Sequence, residues 1–180
     1  MSALAEHATV SIGFTVESVF DVVQVDGGLG GLQLVERSVE PYPRDHDAEA
    51  GEGPTRWAQQ FDVSNWGLIS AHRDGVRLGG AVIAWKSPEL WMIKGQHQAA
   101  LWDLRVAPET RREGVGSRLV AAAEEWARER GCTRLSIETQ NVNVRACRFY
   151  AAMGCSLGEI DRFAYPGLPD EVMLNWSKDL

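Results

Sequence analysis

The residues with the clearest chemical potential lie in one short run, Arg111-Arg112-Glu113-Gly114-Val115-Gly116-Ser117. Gly114 and Gly116 carry no Cβ, so the backbone there can take unusual torsions and a ligand can approach its N–H groups closely. If a helix begins at this point, its first turn offers N–H donors without intrahelical acceptors and the positive end of a dipole, a combination suited to phosphate. Arg111, Arg112 and Arg118 can add full positive charges, and the ligand this pattern predicts is a pyrophosphate. The same residues also fit an ordinary glycine-containing strand-to-helix loop. Two known phosphate loops are excluded: no Gly-Lys-Ser/Thr follows four intervening residues, and the third glycine of a dinucleotide fingerprint is missing.

Two elements must position this turn. In Leu101–Val106 alternate side chains point to opposite faces, with Leu101, Asp103 and Arg105 on one and Trp102, Leu104 and Val106 on the other. Pro108 stops that strand, because it lacks an N–H and biases Ala107 toward an extended conformation. From Val115 onward, Val115, Leu119, Ala122, Ala123, Trp126 and Ala127 fall at helical spacing, while Glu124, Glu125, Arg128 and Glu129 lie mostly off that stripe. Gly131 stands where a C-terminal cap is wanted.

Around this unit the chain reads as follows. Residues 1–9 are expected to form a loosely held tail. Ser11–Phe20 and Val22–Val25 suit strands, punctuated by the glycine cluster of residues 27–31. That cluster reads as a flexible turn, since no basic residue or helix start follows it closely. Residues 41–54, PYPRDHDAEAGEGP, are proline-, glycine- and acid-rich and are expected to be a mobile loop; Asp45-His46-Asp47 has no second ligand cluster to make a metal site.

Trp66–His72 and Arg77–Trp85 form a hairpin through Asp74-Gly75, a turn pair that favours antiparallel strands. Residues 86–98 are a connection whose Leu90, Trp91, Met92 and Ile93 could pack on the domain or line a substrate pocket. Arg134–Thr139 is another strand. Asn143 caps a helix over Val144–Met153, with Gly154 after it and Ala146, Phe149, Tyr150 and Met153 on one face. Two strands close the chain, near Gly158–Phe163 and Glu171–Trp176. The order implies a mixed α/β (α+β) fold with a mostly antiparallel central sheet and helices on both faces.

At 180 residues and 44% hydrophobic, one well-buried domain spanning the whole chain is expected. A net charge of −7 argues against nucleic acid or an anionic membrane as partner, and a cationic small substrate would suit it. Cys132, Cys147 and Cys155 show no metal-ligand spacing with the histidines and read as core residues in a reducing cytoplasm. No basic, apolar leader and no membrane-length apolar run is present, so a cytoplasmic protein is expected.

The hydrophobic strand, Val106-x-Pro108 and Arg111-x-x-Gly114-x-Gly116 opening a helix resemble the acetyl-CoA-binding motif of the GNAT superfamily of N-acyltransferases. Residues 138–150, ETQNVNVRACRFY, resemble that family's later motif, in which an asparagine opens a helix and a tyrosine follows. Together with AYPGLPDEVMLNW at 164–176, they are similar to streptothricin acetyltransferases and their relatives, a likeness covering about residues 101–180.

The resemblance implies acetyl-CoA as co-substrate and no metal. Leu104, Arg105 and Val106 would offer backbone hydrogen bonds to the pantetheine arm. Arg111, Arg112, Glu113, Gly114, Val115, Gly116 and Ser117 would surround the pyrophosphate, and Asn143 would bind the cofactor nearer its thiol. Tyr150 would be the general acid beside the sulfur. Asn143 also reads as a plain helix cap, and Tyr150 as a core aromatic.

A lysine-like acceptor has a pKa of roughly 10.4 and is almost wholly protonated at neutral pH, so a route for losing that proton is needed. Asp103 is the first candidate to take it, directly or through water, and Glu138 the second. The expected reaction is transfer to a primary amine of a small molecule, such as a streptothricin-like antibiotic. A protein lysine or N-terminus as acceptor, and a non-catalytic acyl-CoA sensor, remain the alternatives, and a homodimer is left open.

Overall fold

The computed structural model describes residues 2–49 and 52–180. Its helices and strands, in chain order, are α1 (Ala3–His7), β1 (Phe14–Gln24), β2 (Leu32–Arg44), α2 (Pro54–Gln60), β3 (Gly67–Arg73), β4 (Val76–Trp85), β5 (Gln98–Val106), α3 (Val115–Arg128), β6 (Arg134–Gln140), α4 (Val144–Ala152), β7 (Ser156–Asp161) and β8 (Met173–Asp179). β1 and β2 form a two-stranded sheet, and the other strands follow the order β3-β4-β5-β6-β8-β7. The pairings β1·β2, β3·β4 and β4·β5 are antiparallel and β5·β6 is parallel, giving the mixed, mostly antiparallel α/β architecture expected. The chain packs into two compact units, one of Met1–Gly13, Asp45–Ile137 and Ser177–Leu180, the other of Phe14–Arg44 and Glu138–Trp176.

In the first unit, the apolar run of β4 does what its composition demands. Ala81, Val82, Ile83 and Ala84 are all buried, and α3 packs on β3, β4 and β5 through Val115, Leu119, Val120, Ala123 and Ala127. Burying a Val or Leu side chain in this way contributes about 1.5–3 kcal/mol each. The β3–β4 turn is Asp74-Gly75, with φ of +51° and +80°, the left-handed pair that a tight hairpin requires. Glu124 departs from the expected stripe. It is 6% exposed and held by Lys178 Nζ at 2.6 Å and Arg128 Nη2 at 3.1 Å, partners that let a carboxylate sit on the helix's inner face.

Residues 1–9 are not a loose tail where the structure describes them. Ser2 caps α1, and the helix ends on His7, which is fully buried against β4 where Gly80 leaves room: a Cβ at Gly80 would lie 2.6 Å from the imidazole. Residues 41–54 are likewise not one mobile loop. Pro41–Arg44 complete β2, in a two-stranded sheet where a proline N–H can be spared, and Asp47 is fixed by an ion pair. Met1 belongs to the first expectation and Ala50 and Gly51 to the second, and these lie outside the described residues.

In the second unit, Val16, Val19 and Val142 form a small core with Phe14 and Val39 packed on it. Asn141 is buried, its side chain donating to Phe20 O at 3.0 Å and accepting from Val172 N at 2.7 Å. The inner face of α4 is Val144, Cys147 and Tyr150, so the stripe is rotated from the expected Ala146, Phe149, Tyr150 and Met153. Tyr150 alone belongs to both.

Candidate active site

The first unit supplies the strand, turn and helix. Val82 pairs with Asp103 and Ile83 with Leu101, leaving Trp102 as the extra residue of a β-bulge in β5. The parallel ladder to β6 runs from Gln98↔Arg134 to Leu101↔Ile137, while β5 continues to Val106. Leu101↔Ile137 is the last pair of that ladder within the first unit, and β5 runs on beyond it. Leu104, Arg105 and Val106 lie on that stretch, where a ligand amide could pair with the strand as a neighbouring strand would.

After β5, Pro108–Thr110 make a single 3-10 turn, and the backbone passes through left-handed torsions at Arg112 (φ +68°) and Gly114 (φ +78°) before α3 starts at Val115. No side chain caps α3, so by helix geometry the first-turn N–H groups, including those of Gly116 and Ser117, point past its end. An added Cβ at Gly114 would meet nothing within 4 Å, which leaves open space in front of the turn. Arg112 and Arg118 are exposed beside it. This donor set fits a diphosphate. Two expected contacts differ in detail. Arg111 donates from Nε to Val106 O at 3.2 Å and from Nη2 to Gly13 O at 3.1 Å, so it braces the turn. The Glu113 carboxylate turns to Arg73 at 2.9 Å.

The buried face of β5 carries an ionic cluster. Asp103 is 7% and Arg105 1% exposed. Arg105 donates to both oxygens of Asp103, at 2.9 and 3.0 Å, and to both oxygens of Asp47, at 2.5 and 2.8 Å. It also donates to Val10 O at 3.3 Å, and His7 Nε2 stands 2.6 Å from Asp103 Oδ1. Burial alone would raise the pKa of Asp103, but the hydrogen bonds and charges of His7 and Arg105 outweigh it and lower the value. The Asp103 carboxylate, the first candidate base of the sequence reading, is thus tied to His7 and Arg105. Arg105 can serve a ligand only through its backbone.

The second unit holds the remaining candidates. Glu138, on β6, accepts from the Tyr165 hydroxyl at 2.5 Å, and that oxygen accepts from Gln140 Nε2 at 3.2 Å. Burial first, then the adjacent Glu138 charge, raise the Tyr165 pKa, so the hydroxyl stays protonated and donates. Asn143 Oδ1 accepts from Ala146 N at 3.1 Å, the expected cap. Tyr150 is 7% exposed, its ring 5.3 Å from that of Phe149. Sequence reasoning did not single out Tyr165 or His7, and it weighed Asp47 only as a metal ligand. The Pro166-Gly167 turn next to Tyr165 was a usable hint, whereas nothing local marks His7.

The family model for the acetyltransferase (GNAT) family matches residues 32–155, and the chain belongs to that family. It is an acetyl-CoA-dependent N-acetyltransferase. Among its relatives, the streptothricin acetyltransferase of Escherichia coli is 29% identical over 96% of this chain and 89% of its own length. Streptothricin acetyltransferase A of Bacillus subtilis is 38% identical over 43% of this chain, a match spanning 46% of that relative. An aminoglycoside N(6')-acetyltransferase type 1 of Klebsiella aerogenes is 39% identical over 48% of the chain and 57% of its own length.

Two solved structures are similar over nearly the full length. A nourseothricin acetyltransferase has TM-score 0.76 at 28% identity, covering 99% of this chain and 94% of its own. A Bacillus anthracis protein described as a streptothricin acetyltransferase, in complex with acetyl coenzyme A, has TM-score 0.74 at 26% identity, covering 95% and 89%. Among the described residues no cluster could hold a metal ion, and no helix is long and apolar enough to cross a membrane.

Proposed function

We propose that this enzyme acetylates a primary amine of a small cationic molecule of the streptothricin type. The observation that carries this is the similarity to the Escherichia coli streptothricin acetyltransferase, which extends over 96% of the chain and so includes the divergent region before the shared motifs. The net charge of −7 suits a cationic acceptor.

When bound, acetyl-CoA supplies an acetyl thioester. In this reading Arg112 and the N–H groups of Gly114, Val115, Gly116 and Ser117 hold its diphosphate, and the main chain of Leu104, Arg105 and Val106 pairs with the pantetheine amides. Asn143 remains the second-motif contact that the family likeness suggests. Glu138 takes the proton of the acceptor ammonium, and its hydrogen bond from Tyr165 keeps the carboxylate oriented. The free amine attacks the acetyl carbonyl, Tyr150 gives its hydroxyl proton to the departing sulfur, and the proton that the attacking nitrogen then sheds restores the Tyr150 hydroxyl, while Glu138 passes its proton to solvent.

The test is release of coenzyme A thiol with streptothricin, aminoglycosides, polyamines and lysine peptides as acceptors. Streptothricin is expected to give the highest kcat/KM. Preference for a peptide, or cofactor binding without turnover on any amine, would reject the proposal. Tyr150→Phe is expected to lower kcat while leaving cofactor affinity nearly unchanged, and an equal kcat would remove Tyr150 from the mechanism.

A further inference from the structure

At the opposite end of β5 and α3 from the Gly114 turn, the first unit contains an open cavity of ≈ 780 Å³. It is bounded by the end of β4, the 86–98 connection, the start of β5 at Gln98, and Arg130 and Gly131 beyond α3. A helix of 14 residues is about 21 Å long, so this cavity is well separated from the turn at the other end of α3.

Its wall is unusual in charge. Lys86, Lys94 and Arg130 line it with the His97 imidazole beside them, and among the described residues no aspartate or glutamate does. The chain as a whole has 25 acidic and 18 Lys and Arg residues, so this concentration runs against the composition. Like charges gathered around one concave surface repel one another, and a bound anion removes that repulsion.

Two of the cations, Lys86 and Arg130, lie against aromatic rings. Lys86 has φ of +54°, a left-handed torsion unfavourable for a residue with a side chain, and its Nζ lies 4.3 Å from the centre of the Trp85 ring. The Arg130 guanidinium stands 3.7 Å from the Trp126 ring, and the Trp85 and Trp126 rings meet edge to face at 6.4 Å. Arg130 Nη1 donates to Trp126 O at 2.9 Å and stands 3.6 Å from a Glu129 carboxylate oxygen, and Glu129 is not part of the cavity wall. Trp85 and Ile93 add an apolar surface to the charged one.

We propose that this cavity is a second ligand site, for a small organic phosphate monoester: Lys86, Lys94, His97 and Arg130 receive the phosphate, and Trp85 and Ile93 receive the planar or apolar body. The volume lies within the usual range for small-molecule sites.

The experiment is titration of the ¹⁵N-labelled full chain with AMP and, separately, with inorganic phosphate, following backbone amide shifts. Saturable AMP shifts are expected at Lys86, Lys94, His97 and Arg130, with affinity at least tenfold above that of inorganic phosphate. The double variant Lys86→Gly, Lys94→Gln removes two charges without straining the backbone, since glycine accepts a positive φ. It is expected to bind AMP at least tenfold more weakly while acetyl transfer is unchanged. AMP shifts confined to Gly114–Ser117, or equal AMP affinity in the double variant, would overturn the site. Inorganic phosphate binding as tightly as AMP would overturn the role given to Trp85 and Ile93.

Discussion

Removal of Arg105 is the sharpest probe of how this enzyme holds β5 in place. In Arg105→Ala, Asp103 keeps only His7 as a partner in a site where its side chain is 5% exposed, and Asp47 loses both of its bonds. Stripping one partner from a buried ion pair costs about 3–5 kcal/mol, because the remaining charge stays desolvated. A domain of this kind has about 5–15 kcal/mol in total, so the loss is a large fraction of it. With a urea slope of about 1–3 kcal/mol/M, the unfolding midpoint should fall by roughly 1–3 M. Asp47→Ala should cost less, about 1–2 kcal/mol, since its side chain is 29% exposed and water can take over part of its role.

The pH dependence follows from the depressed Asp103 pKa. In the native protein its contribution is present above the unfolded carboxylate value and is lost as pH falls through the lower folded value. In Arg105→Ala, burial dominates and raises that pKa, so protonation relieves the penalty and the gap between wild type and variant narrows on acidification. A destabilisation below about 1 kcal/mol at neutral pH, or a gap that widens toward acid, would refute this account of the cluster.

Three further outcomes can be measured. Gly114→Ala forces a Cβ into a φ of +78° without a clash, so it should cost about 1–2 kcal/mol and raise the KM for acetyl-CoA without moving that for the amine; unchanged cofactor kinetics would detach the turn from binding. Because the Tyr165 pKa is raised on folding, its stabilisation is complete below the unfolded tyrosine value and is lost as pH rises above about 10, so alkaline unfolding should be less steep in Tyr165→Phe, and identical profiles would contradict the Glu138 bond. Burial pushes the Cys147 thiol up to about 12, and Cys132 and Cys155 are also buried, so a thiol reagent at pH 8 should find no rapidly reacting cysteine in the native enzyme and three after denaturation.

What the sequence determined by itself was local. The β5 strand, the Gly114 turn, the α3 stripe, the Asp74-Gly75 hairpin and the Asn143 cap all depend on neighbours within one or two turns of chain, where periodicity and backbone sterics act. Tertiary structure alone decided which charges meet. His7 and Asp103 are 96 residues apart, Arg105 and Asp47 58 apart, and Tyr165 and Glu138 27 apart. A carboxylate's usefulness as a base depends on burial and on such partners, and no residue's type or spacing encodes them. For that reason the sequence could place Asp103 on its strand but not its partners His7 and Arg105, and Glu124, placed off the stripe by its charge, could be buried once Lys178 and Arg128 were there to receive it.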